Sequence, residues 1–296
     1  MRPTHFFKQN GTGYLFLAPW IIGILAFTLI PVFASLYISF SKYEMFGSPV
    51  WIGLDNYKEI LTGDEQFAKS LGVTFKYVLL GVPLELAFAL LIAMMLHKGI
   101  RGLRLYRAIY YVPSLFGGSV AISLLWRQLF GAQGLVNQFL AMFGIQGISW
   151  IATPETALYT IILLKVWQFG SPMIIFLAGL QQIPNDLYES ASIDGAGRWA
   201  KFAKVTIPLL TPIIFFNMIM QIISAFQAFT PAYVISGGSG GPLNSTLFYT
   251  LYLYQKGFVS FQMGYASALA WILLIIIAAF TTLAFLTSKK WVHYEK

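Results

Sequence analysis

The chain has 296 residues, 57% of them hydrophobic and only 10% charged, with no cysteine and three histidines (His5, His97, His293). Soluble domains carry about a quarter charged residues, so most of this chain is expected to sit in lipid. The missing cysteines exclude a disulfide framework and a thiolate metal site, and the scattered histidines argue against an imidazole cluster. A net charge of +8 invites a nucleic-acid reading, and the placement of the charges argues against it.

The first predicted span is residues 14–40. Arg2 and Lys8 precede it as they would a signal peptide, but the apolar run is too long for one and ends without a small-residue cleavage site. It is expected to remain as an anchor helix. Residues 41–70 form a loop whose string Trp51-Ile-Gly-Leu-Asp-Asn-Tyr57 reads as an interfacial aromatic belt with a turn. Residues 71–96 are the second span, carrying Pro83 and Glu85, and 110–130 the third, with Pro113 and Trp126. Between them runs the basic loop Lys98 to Arg107. A short interfacial helix is expected around Leu135 to Phe143. Residues 157–180 are the fourth span, containing Lys165, Trp167, Gln168 and Pro172.

The longest polar passage of the C-terminal half follows. Pro184, then Asn185 and Asp186 as capping candidates, and Glu189 in the first turns, predict a helix from Asp186 to Ala196. Gly195 and Gly197 let the chain turn. Arg198 to Val205 is predicted as a second short helix ended by Ile207-Pro208. Residues 208–229 are the fifth span and 264–286 the sixth. On composition, the Ser236–Thr246 run between them is a flexible glycine-rich linker.

Basic residues cluster before the first span, after the second (Lys98, Arg101, Arg104, Arg107), after the fourth (Arg198, Lys201, Lys204) and after the last (Lys289, Lys290, Lys296). Acids fill the alternate loops: Glu44, Asp55, Glu59, Asp64, Glu65 and Glu155. This alternation is the positive-inside pattern, which puts both termini and the Glu189 passage in the cytoplasm. The basic excess thus concerns topology and anionic lipid, with no nucleic-acid partner expected.

The order Glu189-Ser190-Ala191, Asp194-Gly195-Ala196, then Ile207-Pro208-Leu209-Leu210 resembles the EAA loop of membrane subunits of binding-protein-dependent ABC importers, closest to the maltose and glycerol-phosphate permease branch of carbohydrate uptake. Ser190 departs from the usual alanine but is also small. The Trp51–Tyr57 string, the Gly-Gly-Pro run with its following Ser-Thr, and Gly264-Tyr-Ala-Ser-Ala268 are similar to that family too, so the resemblance covers nearly the whole chain. It implies an all-α permease of the type I importer fold, one transmembrane domain over residues 1–296 with six spans, in a bacterial cytoplasmic membrane. The partners it implies are a second homologous permease, an ATP-binding subunit dimer that holds ATP and magnesium, an external solute-binding protein and a sugar. This chain itself shows no phosphate-cradling motif and is expected to bind no cofactor of its own. Within the coupling loop, residues 186–208, the resemblance gives Glu189, Ser190, Ala191, Asp194, Gly195, Ala196 and Pro208 to contact with the ATPase.

Two charges lie inside predicted spans, Glu85 and Lys165, where each costs roughly 2.5–3.5 kcal/mol at the membrane centre. A paired interior position or outward snorkelling of Lys165 competes with a substrate role. Lys165, Gln168 and Pro172 fall on one helical face, and Pro172 frees the Gln168 carbonyl for a ligand, water or neighbouring helix. Asn217, Gln221 and Ser224 form a second stripe, and polar stripes often only join helices. The resemblance assigns such fourth- and fifth-span positions to the substrate path, so Lys165, Trp167, Gln168, Asn217, Gln221, Ser224 and Glu85 are its candidates. Lys165 points to an acidic oligosaccharide. The rival reading is an ion-driven carrier with Glu85 as proton site, which calls for internal repeats and broken helices in both halves, and the sequence shows neither. A membrane enzyme would need clustered His or carboxylates, which the sequence lacks.

Overall fold

The computed structural model describes residues 3–97 and 102–293. The expected charges Arg2, Lys98, Arg101 and Lys296 lie outside them. The described chain is almost wholly helical. In order it runs α1 (Pro3–Ile24), α2 (Ile30–Ser39), the two-residue strands β1 (Ser41–Lys42) and β2 (Val50–Trp51), α3 (Asp55–Thr62), α4 (Glu65–His97), α5 (Leu103–Phe116), α6 (Val120–Leu129), α7 (Leu135–Ala141), α8 (Pro154–Trp167), α9 (Gly170–Gln182), α10 (Asn185–Ile193), α11 (Arg198–Lys201), α12 (Ile207–Phe226), α13 (Thr230–Ser236), α14 (Tyr249–Tyr254) and α15 (Met263–Ser288). Four helical stretches are long and apolar enough to cross a bilayer, and two bent helix pairs bring the number to six when each pair counts as one span. Contacts divide the chain into two compact units: Met1–Asp64 with Leu253–Ile272, and Glu65–Tyr252 with Leu273–Lys296.

In the first unit α1 and α2 join through a π turn at Leu25–Leu29. The most apolar window of Leu15–Ser39 buries none of its residues, so this rod is apolar all round and unclad. Its far end is held by the string read as an aromatic belt. Gly53 takes a left-handed φ of 62°, which turns the chain so that the buried Asn56 donates to the carbonyls of Ser39 (2.9 Å) and Ser41 (3.0 Å). Ser39 and Tyr57 share a hydroxyl hydrogen bond at 2.7 Å, and the Phe40 ring stacks on Trp51. The start of α15 docks here: the Gly264 N–H donates to the Tyr43 carbonyl, and a Cβ at Gly264 would collide with the Ser41 carbonyl oxygen. That close approach explains the glycine of Gly264-Tyr-Ala-Ser-Ala268.

In the second unit α4 is the central post. It packs on α8, α9 and α12 and buries Tyr77, Val78, Val82, Ala89, Ala93 and Leu96. The small Ala89 and Ala93, one turn apart, let Met173, Phe176 and Leu177 of α9 come close. Two predicted spans are corrected. The third is no straight rod over 110–130: α5 and α6 meet at 97°. Gly117-Gly118 carry the bend, and Ser119 caps α6 by accepting the Ile122 N–H at 3.2 Å. The fourth breaks between α8 and α9 at 42°.

The coupling passage also differs from expectation. The first helix ends at Ile193, and Gly195, with φ of 76°, closes it by bonds from the Gly195 N–H to Ser192 and from the Ala196 N–H to Ala191. The second helix does not end at Ile207-Pro208. Arg198 to Phe226 is one continuous helix of 29 residues. A π turn at Phe202–Thr206 shifts the backbone register just before Pro208, so the missing proline N–H falls where the ladder is already rearranged. Nor is Ser236–Thr246 a slack linker. Gly237, Gly238 and Gly240 adopt positive φ, Thr246 bonds back to Gly240 and Gly241, and Thr246 through Tyr249 are buried.

Candidate functional site

The two broken spans are stitched together at their breaks. Ser114 Oγ donates to the Gln168 carbonyl and accepts the Ser171 N–H, both at 2.9 Å. The Gln168 carbonyl, freed by Pro172, is thus satisfied by a neighbouring helix. Gln168 Nε2 donates to the Gly117 carbonyl at 2.9 Å, and only a glycine at 117 leaves room for that side chain. Because α8 stops at Trp167, Gln168 caps the helix rather than continuing the face of Lys165, and Pro172 is buried in packing.

The breaks open a cavity of about 460 Å³ in the second unit, lined by polar and apolar groups in similar measure. Lys165, Gln168 and Ser224 of the expected path line it. Tyr77, Gly117, Gly118, Gln227 and Thr230 line it as well and were missed from sequence. Gln227 was within reach, lying one turn beyond Ser224 on the stripe already identified, and the run Pro113…Gly117-Gly118-Ser119 was a legible break signal. Trp167 is not brought to the cavity; its ring lies 5.9 Å from that of Trp126. Glu85, Asn217 and Gln221 are not among the residues that line it.

Lys165 is buried and bridges α4 and α12: its Nζ lies 2.8 Å from Glu85 Oε2 and 2.9 Å from Gln221 Oε1. Its stem runs across Gly81, where an added Cβ would come within 3.1 Å of Lys165 Cδ. Snorkelling is therefore excluded, and the two intramembrane charges neutralise each other. Asn217 is buried one turn before Gln221, and its Nδ2 has no partner among the described residues.

The α10–α11 element presents a second surface. Glu189, Ser190, Asp194 and Gly195 are exposed, while Ala191, Ala196 and Pro208 are half-buried. Ile193 and Trp199, at 87% and 83%, are the most exposed large apolar residues of this element. Within the element Ser192 Oγ donates to the Tyr188 carbonyl, Lys201 Nζ donates to Ser192 Oγ, and Tyr188 and Thr206 share a hydroxyl hydrogen bond at 2.9 Å. These bonds tie the element together internally. No group of three or more potential metal ligands occurs among the described residues.

One long helix thus joins a cavity at two helix breaks to an exposed helical knuckle. Residues 75–291 match the family of binding-protein-dependent transport system inner membrane components. The chain belongs to that family. As a member it is a multi-pass membrane transport component, and the ion-driven carrier and membrane-enzyme readings fall away, even though the broken helices that the carrier reading called for are present. The chain is 57% identical over 289 residues, 97% of this chain and 94% of the relative, to the probable ABC transporter permease protein YesP of Bacillus subtilis (strain 168). It is 34% identical to the lactose transport system permease protein LacF of Rhizobium radiobacter, with 94% of each chain covered. Its fold, a type I importer permease fold, matches a chain of a bacterial ABC transporter involved in import of the acidic polysaccharide alginate, at a TM-score of 0.79 and 22% identity over 98% of this chain and 99% of that one.

Proposed function

We propose that this chain forms half of the translocation path of an ATP-driven importer of oligosaccharides in a bacterial cytoplasmic membrane, with both termini and residues 186–208 on the cytoplasmic side. Its partners in this reading are a second, homologous permease, a dimer of ATP-hydrolysing subunits that holds ATP and magnesium, and an external sugar-binding protein. The observation that carries the proposal is the continuous helix Arg198–Phe226. At about 1.5 Å per residue it is roughly 43 Å long. One end belongs to the exposed α10–α11 element and the other ends beside Ser224 and Gln227 in the cavity wall. A movement imposed on the knuckle by the ATPase dimer is therefore delivered to the cavity by a rod, not by a loop. Alternating access follows when the rod tilts and the cavity changes the side on which it opens. Glu189 anchors the knuckle by a charge-assisted hydrogen bond to the ATPase, Gly195 sets its turn, Ala191 and Ala196 allow close seating, and Asp194 closes the helix end.

The test is mechanical. Two glycines inserted after Thr206 soften the rod while leaving the knuckle sequence intact. The complex is expected to assemble and hydrolyse ATP yet lose sugar uptake into proteoliposomes; uptake that stays in step with hydrolysis refutes the reading. Acidic oligosaccharides belong in the substrate panel, because Lys165 faces the cavity and the structural neighbour belongs to an importer of an acidic polysaccharide. The pairing with Glu85 means that a sugar carboxylate competes for Lys165 rather than meeting a free cation. A Glu85→Gln, Lys165→Met double variant is expected to lower acidic relative to neutral uptake, and an unchanged ratio removes the acidic preference.

A further inference from the structure

A groove of about 570 Å³ lies between α4 and the start of the long helix, apart from the cavity and beside the α10–α11 surface, with which it shares Trp199. Its floor is Ala87, Leu90, Leu91 and Met94, its wall Trp199 and Phe202, and Arg198 is the one charged residue on it. Leu91 is half exposed and Trp199 almost fully so. Arg198 has no ion pair or hydrogen bond among the described residues, and no acidic side chain occupies its helical turn. The 29-residue rod, roughly 43 Å long, is longer than a hydrocarbon core of about 30 Å. Leu90 lies seven residues before the end of α4 at His97, or about 10 Å below that end. The groove has a cation and an indole at one end and aliphatic side chains along the rest.

We infer that this groove binds one anionic glycerophospholipid of the inner leaflet, its phosphate on Arg198, its glycerol region against Trp199 and an acyl chain along Leu90, Leu91 and Met94. Charge complementarity decides for this occupant. The unpartnered guanidinium stands at the positive end of a helix dipole, within a chain of net charge +8, so the polar end of the groove favours an anion. The apolar remainder has a polar lining at one end only, which suits a lipid tail better than a protein helix with polar groups along its length. The consequence is that lipid composition acts on the coupling rod at its first turn. The assignment rests on the proposed cytoplasmic placement of residues 186–208.

The test uses the assembled importer in phosphatidylcholine nanodiscs containing either phosphatidylglycerol or phosphatidylcholine with brominated acyl chains. Subtracting the signal of a Trp199→Phe complex isolates Trp199 fluorescence. Bromine on phosphatidylglycerol is expected to quench Trp199 at about one-fifth the mole fraction needed on phosphatidylcholine, the factor expected of about 1 kcal/mol per basic residue. Arg198→Gln is expected to bring that ratio to about one. Equal quenching by both lipids overturns the anionic assignment, and no quenching by either overturns it in favour of a protein occupant. Labelling of Ser192→Cys by an impermeant maleimide, expected only in inverted vesicles, reports separately whether the cytoplasmic placement holds.

Discussion

Removing one member of the Glu85–Lys165 pair is expected to harm the protein more than removing both. In Lys165→Met the Glu85 carboxylate loses its cation at 2.8 Å and stays buried among the helices of the second unit. Breaking one side of a buried pair costs about 3–5 kcal/mol. Glu85→Gln costs less than that, because Lys165 keeps Gln221 at 2.9 Å and gains an amide oxygen. Glu85→Gln with Lys165→Met removes both charges, so no uncompensated charge is left buried and the loss of about 3–5 kcal/mol is largely avoided. The coupling in the double-mutant cycle should then reach at least about 2 kcal/mol in favour of the double variant. Thermal unfolding of the detergent-purified complex, followed by the monodisperse fraction remaining on gel filtration, ranks the four proteins. A double variant whose loss equals the sum of the single losses refutes the argument, since it would mean that the two charges do not need each other.

Three further outcomes are expected. Glu189→Ala should weaken retention of the ATPase subunits on affinity purification at least about tenfold, since a charge-assisted hydrogen bond contributes on the order of 1.5–3 kcal/mol; unchanged stoichiometry counts against the coupling role. Gly195→Ala should loosen the turn by about 1–2 kcal/mol, because φ of 76° is left-handed, and limited proteolysis should cut residues 186–208 faster than in the native chain. Gly117→Val should expel the Gln168 side chain from its seat and change the KM for sugar uptake; unaltered kinetics would remove Gln168 from the path.

The bent third and fourth spans give the cavity its chemistry. A straight membrane helix satisfies its own backbone and offers little to a sugar, whereas a break exposes carbonyls and N–H groups that need partners. Here Ser114 and Gln168 satisfy part of that demand between the two breaks. The remaining polar groups, Tyr77, Gln227 and Thr230 among them, face the space the bends create.

Much of this was legible one residue at a time. The spans, their alternating charge and the Glu189…Gly195…Pro208 order follow from local sequence, because bilayer thickness, dipole sign and glycine conformation act over a few residues. So does the helix stop at Gly195, since only the αL region closes that end. Pro172 likewise announced a free carbonyl at Gln168, and the sequence left open who would take it.

What the tertiary structure alone decided was partnership. No local pattern says that Lys165 reaches across Gly81 to Glu85 and Gln221, residues 80 and 56 positions away, or that Ser114 closes the break at Gln168. Nor does sequence show that Trp167 turns toward Trp126 and leaves the cavity, or that the helix runs through Pro208 unbroken. Elements are set by short-range sterics and solvation, and a sequence carries those openly. Which polar group satisfies which depends on how packed helices place atoms far apart in the chain, and a small change in packing exchanges one partner for another.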